Sequence, residues 1–357
     1  MNKIYLKKDT KVYIMAPSNL FTGGPELLHQ IGLSIKKNFK VDTFMFYLPE
    51  NKHPIHKNFK KYNLKYKINI EDKKENILII PEYYSFIKYA SKYKNLKKIL
   101  WWLSIDNYYG YKFRIDYNKF LRSIIKIPFN IINNFNKFTN YFFGLLTLQD
   151  YLKFKYSFID LNKLSEFQGI DLHLCQSYYA YFFLKKKFKN VAYLSDYQRE
   201  EILQNYKKKK IKKSNIICYS NKSNDFIKKI FNYTNYKMIE LKKLNSLQII
   251  NIFQKTKIYL DFGYHPGKDR MPREAVLFNN CIITNKRGSA ENKYDIPIKK
   301  QYKFEEKKFN LKKIKYLIEK IFNNYEKELK HFSKYKKLVL EEKKKFNRDL
   351  KKIFIKK

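Results

Sequence analysis

Short apolar runs alternate with amphipathic stretches along most of this 357-residue chain. Lys11 to Ala16 (KVYIMA) has the length and content of a buried strand, and PELLHQIGLSIKK from Pro25 places Leu27, Leu28, Ile31 and Ile35 on one helical face. The same alternation predicts strands at Val41 to Tyr47, Ile77 to Ile80, Lys97 to Leu103, Leu172 to Cys175 and Val191 to Leu194. Helices are expected at Glu82 to Tyr93 and Ser177 to Lys186, and a helix start at Ser195 to Glu201. Then comes KKKKIKK, Lys207 to Lys213, a charge run without apolar periodicity that reads as an exposed linker. A second series follows, with strands at Asn215 to Tyr219, Tyr236 to Ile239, Ile258 to Leu260 and Cys281 to Thr284 separated by helical intervals. Leu311 to Lys357 reads as a Lys/Glu-rich helical region whose apolar face holds Ile314, Leu317, Ile318 and Ile321. Strands alternating with helices predict an α/β fold with parallel sheets. The Lys-rich run divides it into domains 1–206 and 207–357.

A basic, aromatic-rich stretch at about 111–165 interrupts the first series. It reads either as an insertion packed on its domain or as an amphipathic surface for an anionic membrane. The formal charge of +44 points to the same surface or to nucleic acid, but Lys, Asn, Ile, Tyr and Phe are enriched together, as a compositional bias would also produce. No helix-turn-helix, zinc-finger or RNP-like pattern supports a basic nucleic-acid-binding protein, and no specific nucleic acid is expected. Cys175, Cys218 and Cys281 sit in separate strand-like runs and read as buried free thiols. Neither a signal peptide nor an apolar run of spanning length is visible, so a cytoplasmic protein is expected, with peripheral attachment to a membrane left open.

The candidate chemistry concentrates in KIYLDFGYHPGKDRMPREAVLFNNCIITNKRGSA, Lys257 to Ala290. Between its two strands, His265, Lys268, Asp269, Arg270, Arg273 and Glu274 fall within eleven residues, and Pro272 suits the first turn of the helix that follows. In open α/β sheets such a loop, beyond the carboxyl end of a strand, is where ligands bind. Cations beside a helix N-terminus suit a diphosphate, and a carboxylate in the same turn suits the hydroxyls of a ribose. An internal ion-pair network that only fixes the loop is the alternative. Gly23 and Gly24 open a helix after a strand, which suits either an anion or a tight turn. Asp106, just past a strand end, suits either an acceptor hydroxyl or a helix cap.

The two α/β series, the Gly-Gly loop and the run PREAVLFNNCIITNKRGSAENKYDIPI together resemble a GT-B glycosyltransferase. The run is similar to the donor-binding segment of the retaining nucleotide-sugar transferase clan. HPGKDRMPREA resembles a subgroup of bacterial glycosyltransferase-like proteins found with surface-polysaccharide genes. The resemblance covers the whole chain as architecture and about 35 residues as motif. It implies two Rossmann-like domains facing a cleft, a nucleotide-sugar donor held by the second, and a saccharide or lipid-linked acceptor on the first. It implies that Glu274 holds the donor ribose and that Gly267, Gly23 and Gly24 are loop glycines of the site. Lys222, Lys268 and Arg270 become diphosphate candidates, Asp269, Arg273, Gly288 and Ser289 further donor-binding candidates, and Asp106 and His265 catalytic ones. The clan usually carries another Glu eight residues before this one. Here that position is Pro266, so Asp269 or His265 would take over the sugar contact, or the chain would be an inactive relative. With no Asp-x-Asp after a strand, neither a catalytic metal nor any other cofactor is expected, and cationic side chains and helix ends would stabilise the leaving group.

Overall fold

The structure is a computed structural model describing residues 3–109, 164–206, 211–220, 222, 224–305 and 310–357. The expected membrane-facing insertion lies almost wholly outside these residues, as do residues 207–210 of the Lys-rich run. The chain divides into two units. Unit 1 comprises Met1–Gln176, Ala180–Ala192 and Lys352–Lys357, and unit 2 comprises Ser177–Tyr179 and Tyr193–Lys351.

Unit 1 is built on strands β1 (Ile4–Leu6), β2 (Lys11–Pro17), β3 (Asp42–Leu48), β4 (Ile77–Pro81), β5 (Lys97–Trp102), β6 (Leu172–Cys175) and β7 (Val191–Tyr193). Its helices include α1 (Gly23–Phe39), α2 (Tyr84–Ala90) and, from Ala180 on, α3 (Tyr178–Leu184), while the first two residues of α3 and Tyr193 of β7 fall in unit 2. Six strands form one sheet in the order β3-β2-β4-β5-β6-β7, with Val12 paired in parallel to both Thr43 and Ile77. Every residue of β4 is buried, as expected of a parallel strand covered on both faces. Trp101 and Trp102 are fully buried, and the Trp102 Nε1–H donates to His173 Nδ1 at 3.0 Å, which satisfies the indole away from water. His173 stacks on Phe188 at 3.9 Å, and burial pushes its pKa down to about 3.

The chain's last residues depart from the helical reading. Strand β13 (Phe354–Lys356) pairs in parallel with β1, Ile4 opposite Phe354 and Leu6 opposite Lys356. Leu6 and Phe354 are both fully buried, and Phe354 lies against Phe39 of α1. Burial of these side chains and the ladder bonds outweigh the local helical pattern.

Unit 2 holds α4 (Glu200–Tyr206), β8 (Ser214–Ser220), α5 (Asn224–Tyr233), β9 (Lys237–Leu241), α6 (Ser246–Lys255), β10 (Thr256–Asp261), α7 (Arg270–Leu277), β11 (Cys281–Asn285) and β12 (Lys303–Phe304). Helices α8 (Leu311–Asn323), α9 (Tyr325–Leu329) and α10 (Ser333–Ile353) follow. The parallel sheet runs β12-β11-β10-β8-β9. Asn245 and Gln248 form a reciprocal capping box that starts α6. The main segment of unit 2 begins at Tyr193, ahead of the boundary read at 207, and Ile202 of α4 is buried in this unit's core. The helix read from Ser195 begins only at Glu200; Ser195, Asp196 and Gln198 are buried in the segment before it. The three cysteines are free and buried, as expected.

Candidate functional site

Strand order reverses between β8 and β10 in unit 2, since β9 lies on one side of β8 and β11 on the far side of β10. Loops leaving adjacent strands toward opposite sides open a crevice at such a switch point. Here the loops meet closely. A Cβ on Gly263, after β10, would sit 2.6 Å from Lys222 Cβ, after β8, so the approach requires glycine. Asn285, ending β11, donates its amide to the carbonyls of Phe262 and Gly263 at 2.8 Å each and fixes the same loop.

His265 is fully buried between two carboxylates, with Nε2 3.5 Å from Asp261 Oδ1 and Nδ1 3.4 Å from Asp269 Oδ2. Burial alone would lower its pKa, but Asp261 and Asp269 outweigh it and raise it, favouring the imidazolium. Burial would likewise raise Asp261, yet His265, the Tyr259 hydroxyl at 2.7 Å and Lys222 hold it below the ordinary carboxylate range. Lys222 Nζ reaches Asp269 at 3.3 Å while its side chain stays half exposed, and Asp269 raises its pKa. The result is an electrically balanced set with one ammonium open to solvent. Asp261, His265 and Asp269 offer ligand atoms within 4.8 Å of one another and could hold a divalent ion, but only by giving up the His265 and Lys222 contacts.

Gly288 and Ser289, in the loop after β11, close on this loop from the other side. Ser289 N donates to the His265 carbonyl at 2.9 Å and its hydroxyl to the Gly267 carbonyl. Gly288 has φ +60°, and a Cβ there would lie 2.1 Å from the His265 oxygen, so no other residue fits.

On α7, Glu274 is buried and accepts from Arg199 Nη2 at 3.3 Å, while Arg199 Nη1 donates to Ser246 Oγ at the start of α6. Burial raises the Glu274 pKa against the pull of Arg199 and Arg270. One residue earlier the arrangement corrects the sequence reading. Arg273 is wholly buried and donates to Asp196 Oδ2 at 2.7 Å and Glu342 Oε2 at 3.0 Å. Lys268 joins Glu342 at 2.9 Å and Ser195 Oγ at 3.0 Å. Both charges, read as donor-binding, are taken up in ion pairs within unit 2. Arg270 is 14% exposed and lies 3.9 Å from Asp196.

Asp106, Gly23 and Gly24 belong to unit 1. Neither glycine has positive φ, so the tight-turn reading does not hold. They open α1, where a Cβ on Gly23 would meet nothing within 4 Å, and one on Gly24 would make ordinary contact with Leu103 and Tyr83. Asp106 is buried inside a helical turn that Ser104 caps by accepting from Asn107 N at 3.1 Å, so the cap reading passes to Ser104. Asp196, Arg199, Asp261 and Glu342 escaped the sequence reading as site residues. Only Asp261, at the end of a strand, carried a positional signal.

Each unit is a Rossmann-like α/β domain, and the fold is GT-B, that of a class of glycosyltransferases. A Thermobaculum terrenum O-GlcNAc transferase mutant superposes with a TM-score of 0.52 at 6% identity over 97% of this chain and 66% of that one. An Anabaena HepE structure in complex with UDP-glucose gives 0.46 at 8% identity, covering 96% and 99%. An S. aureus TarM mutant in complex with UDP, fondaparinux and α-GlcNAc-glycerol gives 0.41 at 10%, covering 79% and 53%. The chain thus spans about half the length of the TarM structure and of a Streptococcus pneumoniae accessory secretory protein that it also matches. No family model matches the chain, and no curated protein does.

Proposed function

We propose that this protein is a glycosyltransferase that moves a sugar from a nucleotide-diphosphate donor to a saccharide or lipid-linked acceptor. The observation that carries the reading is the convergence of Lys222, the 263–269 loop and Gly288–Ser289 at the strand-order reversal of unit 2. The open Lys222 ammonium and the α7 N-terminus suit a diphosphate. Glu274 is the carboxylate for the donor ribose, held in place by Arg199. Asp269, partly exposed, and His265, fixed between Asp261 and Asp269, are the residues that take over the sugar contact of the Glu missing at Pro266. Asp106 is the acceptor-side carboxylate in unit 1. Transfer proceeds without a metal, since the donor set that could bind one is already balanced by Lys222 and the His265 imidazolium. Surface-polysaccharide synthesis on the cytoplasmic face of a membrane is the setting this chemistry fits.

Calorimetry with UDP-, GDP-, CMP- and ADP-linked sugars tests the donor site. Wild type binds at least one of them, with or without EDTA, and Glu274→Ala abolishes that binding while still unfolding in one cooperative transition, which shows that it is folded. Unchanged binding by a folded Glu274→Ala protein sinks the assignment, and loss of binding in EDTA sinks the metal-free reading.

A further inference from the structure

Unit 2 contains a cavity of about 880 Å³ between the segment after β11 and the first half of α10. Its walls are apolar and aromatic, with Pro297, Ile298 and Val339 alongside the half-buried Tyr193 and the buried Tyr335. Tyr178 stacks on Tyr193 at 4.1 Å with the rings 20° apart. Two carboxylates reach the lining, and both are occupied. Asp295 accepts from the backbone N–H groups of Tyr178 and Tyr179 at 2.8 Å each, and Glu342 is held by Arg273 and Lys268.

Lysines are distributed differently. Lys293 and Lys299 come from one side of the cavity and Lys330 and Lys334 from the other, and among the described residues none of the four makes an ion pair. Lys293 has only the ring of Tyr294 beneath it, at 5.2 Å. Unpaired ammonium groups brought to one cavity repel one another, and an anion relieves that cost. Two large apolar side chains of the lining also stand open to water, Tyr294 at 51% and Leu338 at 42% exposure. A soluble polyanion would satisfy the lysines and leave the apolar walls wet. A hydrocarbon chain carrying a phosphate satisfies both, and lysines beside an exposed Tyr and Leu are the composition of a membrane-interface contact. None of the described helices is long and apolar enough to cross a membrane, so the contact would be peripheral.

We propose that this cavity is a binding site for an anionic phospholipid, with Lys293, Lys299, Lys330 and Lys334 on the headgroup and the apolar walls around an acyl chain. The site uses no residue of the donor loop except Lys268, whose ammonium faces Glu342, so lipid binding and nucleotide binding can be read separately.

The test is co-sedimentation of the full chain with phosphatidylcholine vesicles and with vesicles of phosphatidylcholine and phosphatidylglycerol in equal parts. One variant replaces the four cavity lysines by Ala, a second is Leu338→Asp, and a charge-matched control replaces the exposed Lys8, Lys37, Lys65 and Lys74 of unit 1 by Ala. The wild type associates with the mixed vesicles and not with phosphatidylcholine alone. The four-lysine variant and Leu338→Asp each lower that association at least about tenfold, and the control lowers it far less. Thermal shift by UDP stays as in wild type for all three, which reports folding and keeps the outcome separate from that of the donor site. Absent wild-type binding, an equal loss in the control, or full binding by either cavity variant overturns the proposal.

Discussion

The Arg273 guanidinium and the Asp196 carboxylate, 77 residues apart in sequence, form a 2.7 Å ion pair with neither side chain exposed to solvent. Asp196 is held below its ordinary pKa because Arg273, Lys268 and Arg270 outweigh its burial. The pair fastens the segment before α4 to α7, and Glu342 extends the tie to α10. Removing one partner leaves the other charge buried without compensation. Arg273→Met therefore costs about 3–5 kcal/mol in urea unfolding of unit 2, whereas the conservative loss of an exposed pair such as Lys343→Met, opposite Glu200, costs less than about 1 kcal/mol. Similar unfolding midpoints for the two variants would show that the buried pair is not a structural tie.

Gly288 and Gly23 separate two uses of glycine. Gly288→Ala drives a Cβ into the His265 carbonyl from a left-handed backbone and costs about 2 kcal/mol or more. It also shifts the loop that carries Lys268 and Asp269, so nucleotide-sugar affinity falls with it. Gly23→Ala meets open space at a helix start and changes stability by less than about 0.5 kcal/mol. Differential scanning calorimetry of both variants checks this, and a neutral Gly288→Ala would refute the steric account.

Acid should weaken unit 1 through two buried histidines. His29, bonded to the Pro25 carbonyl and the Tyr47 hydroxyl, has its pKa pushed down to about 4 by burial, and His173 to about 3. Both are lowered from an unfolded value near 6.5. The unfolded chain therefore binds more protons in that window. The contribution is full above about pH 6.5 and is lost as pH falls toward about 4 and 3. Glu82 acts in the opposite sense, since burial raises its pKa to about 7 and stability from this group declines as pH rises from the ordinary carboxylate value. Urea midpoints measured from about pH 7 down to about pH 4 should drop less in His29→Gln/His173→Gln than in wild type. An identical slope in the two proteins would exclude the histidines as the cause.

The β1–β13 pair makes the last residues part of unit 1. Phe354→Ala opens a cavity beside Phe39 and costs about 3–5 kcal/mol. Hydrogen exchange gives the location, because amides of β1 should lose protection before those of β4. Loss of protection confined to the helix α10 would contradict the strand pairing.

By itself the sequence determined the layer architecture. Strand-length apolar runs such as Ile77 to Ile80 and Ile258 to Leu260 bury both faces wherever the chain goes, so their period is a local property that the eye can read. It also located the dense charge between Tyr264 and Glu274, and the resemblance drew attention to Glu274 within it. Tertiary structure decided which of those charges remain available. Arg273 and Glu274 are neighbours in sequence, yet the helix turns one toward Asp196 and Glu342 and the other toward Arg199, partners supplied by segments 69 to 77 residues away. The strand pairing of Phe354–Lys356 was hidden for the same reason, since its partner lies at the other end of the chain. Charge pairing and strand pairing are interactions between distant residues, and a one-dimensional pattern carries only the local half of each.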